Sequence, residues 1–217
     1  MSLTQRDLAL LSSSLYGNPG SDPVSWLYKS NPDANVVMGI VRRDKYLIVT
    51  CRGSFDLEDW VHDILARPID PEGRPEIKSV HQGFYGGTPE AWDIVDFHYT
   101  PSDLLIFSGH SLGAARSIIL AAHAVAHGIT PHFICLWGEP APFRHEGNAI
   151  IASIPAVSYR NKVDGVPDPV TKSTTMVGYE HPYPITDVHA IPKSDRLDPL
   201  ALHHFELYQS VTPEIEI

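Results

Sequence analysis

Gly109-His110-Ser111-Leu112-Gly113 sets a glycine two residues to either side of a serine, the spacing of a nucleophile elbow. A serine hydroxyl attacks poorly until a base takes its proton, and the base works only when a further group fixes its tautomer. A carboxylate and a histidine must therefore accompany Ser111, and enzymes built on such an elbow carry them in the order serine, acid, histidine. Ser111, Asp164 and His203 satisfy that order. Asp168 and Glu139 compete with Asp164 for the acid, and His204, adjacent to His203, competes for the base. His181 and His189 are the other histidines that follow Asp164.

These side chains need a scaffold. Residues 104–107 are an unbroken apolar run, the pattern of a strand buried on both faces. From Leu112 onward Ala114, Ala115, Ile118, Ile119, Ala122, Val125 and Ala126 recur at helical spacing, and Arg116, His123 and His127 share the opposite, solvated side. Strand, sharp turn and helix together lift the Ser111 hydroxyl above a sheet, with the helix N–H groups aimed at charge developing there.

Around this unit the pattern predicts an amphipathic helix over residues 1–17 capped by Thr4, a loop over 17–32, and a hairpin of strands 36–41 and 46–51. A short helix with Leu57, Trp60 and Ile64 on one face is expected within the acidic segment from Asp56, and a helix beginning at Thr88-Pro89-Glu90. After the elbow helix come a strand at 133–137, a helix at 147–153, a strand at 156–159, a hairpin within 174–189 and a terminal helix opening at His203. Strands alternating with helices predict an α/β fold, with a mostly parallel central sheet and helices on both faces, as one domain over residues 1–217.

Charge narrows the partners. Lys and Arg number 16 against 26 Asp and Glu, a formal charge of -10, which argues against nucleic acid and against strong attraction to anionic membranes. No run is apolar enough to span a bilayer and the N-terminus has no leader pattern, so a cytoplasmic protein is expected, with at most transient contact with a lipid surface. His123 and His127 lie one turn apart without the glutamate of a zinc-protease helix, so neither a metal nor another cofactor is expected. Cys51 and Cys135 read as buried, reduced thiols.

The chain resembles the class 3 (fungal-type) lipase family of α/β-hydrolases. Four motifs carry the resemblance: Cys51-Arg52-Gly53-Ser54 with Asp59-Trp60 and Asp63 downstream, His81-x-Gly83-Phe84, Gly109-His110-Ser111-Leu112-Gly113-Ala114, and Asp164-x-Val166-Pro167. It implies an α/β-hydrolase fold and a lipase or esterase acting on small-molecule or lipid esters, with a phospholipase, a thioesterase or a silent hydrophobic-ligand-binding module as alternatives. Ser111 would be the nucleophile, Asp164 the acid and His203, five residues ahead of Tyr208, the base. The N–H groups of Leu112 and Ser54 would hold the oxyanion. His81 and His110 would be buried packing residues, and Trp60 would lie beside the pocket. The family more usually has an aromatic at the Cys51 position and a Pro-Arg pair after the strand that here ends in Gly138-Glu139-Pro140. In this fold Cys51 and Cys135 would flank the elbow strand, roughly 9.5 Å apart, beyond the approximately 7 Å reach of a disulfide.

Overall fold

The computed structural model describes residues 2–17, 26–29, 36–53, 67–192 and 200–217. Helix α1 (Gln5–Ser14) starts with a capping box: Thr4 Oγ1 accepts the Asp7 N–H at 3.1 Å and the Asp7 carboxylate accepts the Thr4 N–H at 2.8 Å. Strand β1 (Trp26–Lys29) lies within the stretch expected to be loop, and β2 (Val37–Arg43) and β3 (Tyr46–Cys51) form the expected hairpin. A small ribbon of β4 (Pro68–Ile69) and β5 (Val80–His81) leads into the single turn α2 (Gln82–Tyr85). Helix α3 (Thr88–His98) follows, with Pro89 in its first turn and Gly87, not Thr88, at the cap. Then come β6 (Leu104–His110), α4 (Leu112–Ala126) and β7 (Phe133–Trp137).

The remaining elements are short apart from β8. They are α5 (His145–Asn148), β8 (Ala156–Val163), β9 (Val166–Pro167), α6 (Val170–Ser173), β10 (Ile185–Val188) and α7 (Phe205–Val211). The hairpin expected within 174–189 does not form. Residues 175–177 are a turn of 3₁₀ helix, and β10 instead joins β8 in parallel.

The sheet runs β1-β2-β3-β6-β7-β8-β10. Its first two pairings are antiparallel and the next four parallel, so the carboxyl ends of β3, β6, β7, β8 and β10 gather at one edge. Alternating residues of β6 serve two cores: Leu105 and Phe107 pack with Ile118 and Trp92 of the α3 and α4 layer, while Ile106 packs with Leu8, Leu11 and Phe205 of α1 and α7. Each fully buried aliphatic or aromatic side chain contributes about 1.5–3 kcal/mol relative to exposure. Cys51 and Cys135 lie on the strands either side of β6, both free and buried.

Helix α4 departs from the amphipathic expectation. Arg116 and His123, read as part of a solvated side, are 4% and 0% exposed. The helix runs through the interior, and His123 sits parallel to Trp92 at 6.4 Å. Burial drives its pKa down to about 3, so it is a neutral ring. Among the described residues no helix is long and apolar enough to cross a membrane.

Candidate active site

The turn between β6 and α4 forces Ser111 to φ 59°, ψ −134°, a conformation that costs a non-glycine residue about 1–3 kcal/mol. The turn closes only because its glycines have no side chain: a methyl group on Gly113 would lie 2.2 Å from the Cys51 carbonyl oxygen. Helix α4 thereby begins hard against the end of β3. Leu112, first residue of that helix, has no acceptor within it for its N–H. Gly53 comes equally close to the serine, since a Cβ on it would be 2.7 Å from Ser111 Cβ. Ser54, the second oxyanion donor expected from the resemblance, lies outside the described residues, as do Asp59, Trp60 and Asp63.

His203 ends a 3₁₀ turn, Ala201–His203, just before α7. Its Nδ1 meets Asp168 Oδ2 at 2.6 Å, with both side chains fully buried. The carboxylate that meets His203 is therefore that of Asp168, and the expectation that Asp164 would stand at this position is corrected. Asp164 stands exposed at the tip of the β8–β9 hairpin. Val163 pairs with Val166, which leaves Asp164-Gly165 as a two-residue loop with φ 51° and 82°, the geometry for which Asp-Gly is selected. His204 is exposed and caps α7.

Asp168 is held on three sides. Besides the His203 contact, Oδ1 accepts the Val170 N–H at 2.9 Å, and Oδ2 accepts a short hydrogen bond from the Tyr208 hydroxyl. The Tyr208 oxygen in turn accepts the Asn161 N–H at 3.0 Å. Burial, and then the Asp168 charge, push the Tyr208 phenol well above its ordinary pKa, so it remains a donor. Gly138, at the end of β7 with φ 58°, lies directly against the pair: a Cβ there would be 2.9 Å from His203 Cε1 and 3.0 Å from Asp168 Oδ2.

The backbone of His203 is fixed from the elbow itself. His110 Nε2–H donates to the His203 carbonyl at 2.8 Å, and the two rings stack at 4.6 Å. Burial, and then the neighbouring His203, depress the His110 pKa well below its usual value, leaving Nδ1 free to accept the Tyr16 hydroxyl at 3.0 Å. Tyr16 also accepts the Gly53 N–H at 2.9 Å. One phenol just past α1 thus links Gly53, beside the elbow serine, through His110 to the backbone of His203. Within this arrangement Ser111 Oγ and His203 Nε2 are both buried and have no hydrogen-bond partner among the described residues. Among the described residues no group of three or more metal-ligating side chains is present.

Sequence reasoning did not find the Tyr16–His110 link, the Asn161 support or the bond from Tyr208 to Asp168. Replacing Tyr208 with Phe removes one charge-assisted donor from Asp168 and leaves the Asn161 N–H unmet. The expected result is a loss of about 1.5–3 kcal/mol in stability, read by denaturant unfolding, together with a lower kcat on a soluble ester.

Residues 48–174 match the family model described as Lipase (class 3). Comparison with curated proteins by sequence gives no match. Among solved structures, the chain is similar to the Rhizomucor miehei lipase in its propeptide complex, at TM-score 0.67 and 20% identity over 86% of this chain and 67% of that one. It is also similar to a triacylglycerol lipase from Penicillium expansum, at TM-score 0.62 and 21% identity over 87% and 79%. A mono- and diacylglycerol lipase from Aspergillus oryzae gives TM-score 0.63 and 19% identity over 88% and 78%. At these identities the structural likeness establishes the α/β-hydrolase fold.

Proposed function

The chain belongs to the class 3 lipase family, and from that premise we propose that it cleaves carboxylic esters through an acyl-enzyme, with Ser111 as nucleophile, His203 as base and Asp168 as the acid that orients it. The observation that carries this reading is the buried 2.6 Å contact between His203 Nδ1 and Asp168, with the His203 ring stacked on His110, the residue before the elbow serine. It fixes the tautomer in which Nε2 is unprotonated and can take the Ser111 proton. Ser111 Oγ then attacks the ester carbonyl carbon, and the oxygen that gains the charge is stabilised by the Leu112 N–H at the start of α4. Ser54 is the second donor in this reading.

As the tetrahedral intermediate collapses, the C–O bond to the alcohol breaks and His203 gives that oxygen the proton it took. Water, deprotonated by His203, then attacks the acyl carbon and releases the carboxylic acid, with the proton returned to Ser111. No step calls for a metal or organic cofactor.

Lipid esters are the substrates favoured by family membership, and two of the structural relatives are acylglycerol lipases by name. We read residues 1–217 as one domain. Its support is that the two ends of the chain join the same fold: Ile217 N–H donates to the Leu3 carbonyl at 3.0 Å and Gln5 N–H to the Ile215 carbonyl at 2.9 Å. The cytoplasmic address expected from the sequence gains no support from these relatives.

The reading is tested with p-nitrophenyl esters from acetate to long acyl chains, together with a fluorophosphonate that esterifies an activated serine. Hydrolysis is expected, with the label recovered on the peptide containing Ser111. A chain that hydrolyses no ester and takes up no label has another function.

A further inference from the structure

Beyond the triad is a second carboxylate–imidazole pair, its carboxylate fully buried and its imidazole 15% exposed, that the reaction above does not use. Glu139 follows Gly138 and is fully buried. One of its oxygens accepts the Ser158 hydroxyl of β8 at 2.7 Å, and the other faces His181 Nδ1 at 2.9 Å. The second ring nitrogen of His181 faces the Thr171 carbonyl oxygen at 2.8 Å. A neutral imidazole has one N–H and can satisfy only one of these two acceptors; the other nitrogen would set lone pair against lone pair. Both nitrogens therefore carry protons, and Glu139 balances the resulting charge.

The carbonyl gripped by His181 lies in the turn that presents the catalytic acid. Thr171 Oγ1–H donates to the Asp168 carbonyl at 2.8 Å, and the intervening Val170 N–H holds Asp168 Oδ1. Gly138, the residue before Glu139, completes the connection from the other side, since there is no room between it and the pair for even a Cβ. We propose that His181, charged and paired with Glu139, is a positioning residue that clamps the Asp168 turn, so that loss of its proton slackens the catalytic carboxylate. The proposal rests on the hydrolase reading given above.

The groups around His181 are few. Glu139 faces it from the end of β7 and the Thr171 carbonyl from α6, while Arg160 of β8 opposes its charge. Arg160 is itself paired with Asp187 of β10 at 2.7 Å, and the Tyr183 phenol, neutral because burial raises its pKa, lies near Glu139. Burial pushes the His181 pKa down, but the hydrogen bond and charge of Glu139, helped by the Thr171 carbonyl, outweigh it and hold the pKa above the ordinary value. Stabilisation from the pair is therefore complete below the unfolded-state value of about 6.5, and is lost as pH rises through the raised folded value. Activity should follow the clamp, with kcat falling on the alkaline side and KM changing much less.

The experiment is the pH profile of kcat for the full chain on a soluble p-nitrophenyl ester, in wild type, Glu139→Gln and His181→Gln, with Ser111→Ala as control. Glu139→Gln keeps the shape and removes the balancing charge, so its alkaline limb is expected to move to lower pH by about 1–3 units. His181→Gln is expected to have a lower kcat and no such limb. Ring ¹⁵N shifts of His181, read without turnover, are expected to report both nitrogens protonated at neutral pH, and would do so even if the glutamine variants failed to fold. A neutral His181 ring, or a Glu139→Gln profile superimposable on wild type, overturns the positioning role. A Ser111→Ala kcat within tenfold of wild type overturns the Ser111 acyl-enzyme reading instead.

Discussion

Ser111→Ala is expected to lower kcat on a soluble p-nitrophenyl ester by about 10⁴-fold, equivalent to about 5.5 kcal/mol of transition-state stabilisation. The expectation follows from what the substitution removes and what it leaves. Alanine deletes the one oxygen that attacks, while the Leu112 N–H at the start of α4, the Asp168–His203 pair and the pocket walls stay in place. Residual turnover would come from water oriented by the same donors, so the rate should fall far below wild type yet remain above the background reaction. KM should change much less, because the hydroxyl contributes little to holding the ground-state ester. Alanine has no partner to lose, since Ser111 Oγ makes no hydrogen bond among the described residues; thermal unfolding should therefore match wild type. A variant within tenfold of wild-type kcat would remove Ser111 from the chemistry.

The second large effect discriminates between two aspartates four residues apart. Asp168→Asn should cost about 10⁴-fold in kcat. The new amide would aim an N–H at His203 Nδ1, favouring the tautomer that protonates Nε2 and leaves no lone pair for the Ser111 proton. It would also disturb the contacts with Tyr208 and Val170. Asp164→Asn should leave kcat within about twofold, because asparagine tolerates the left-handed conformation of an exposed Asp-Gly turn. Parallel kinetics on the two variants decide the matter. A severe loss in Asp164→Asn with an active Asp168→Asn would reverse the assignment of the acid.

The elbow was legible from the sequence because its demands are local. A buried strand, two glycines at fixed spacing and a following helix are written in consecutive residues, and residues 104–126 fold as they read. The aspartate that meets His203 was not legible in the same way. Asp164-Gly165-Val166 and Asp168-Pro169-Val170 both offer an aspartate two residues before a valine, but only Val166 is followed by the proline of the motif, so the motif points to the aspartate that does not meet His203. The separating signal was Asp164-Gly165 between Val163 and Val166, a hairpin turn signature that turns Asp164 outward and hands the position to Asp168. Arg116 and His123 were misread for a different reason. Periodicity identifies the most apolar side of a helix, but packing by neighbouring elements decides whether the opposite side meets water, and α4 is enclosed by both. The polar network of Tyr16, His110, Asn161 and Tyr208 joins residues far apart in the chain, 47 positions for Asn161 to Tyr208 and 94 for Tyr16 to His110, and such distant pairings leave no local pattern.

The β8–β9 hairpin also separates contour length from position. Lys162 and Pro167 face each other across it, so the chain leaves the sheet and returns to almost the same point before reaching Asp168. The excursion adds residues to the path without displacing the carboxylate at its end. Its tip therefore forms a graft point: segments of different length and chemistry can be exchanged at Asp164-Gly165, while the Asp168–His203 pair keeps the place that the sheet gives it.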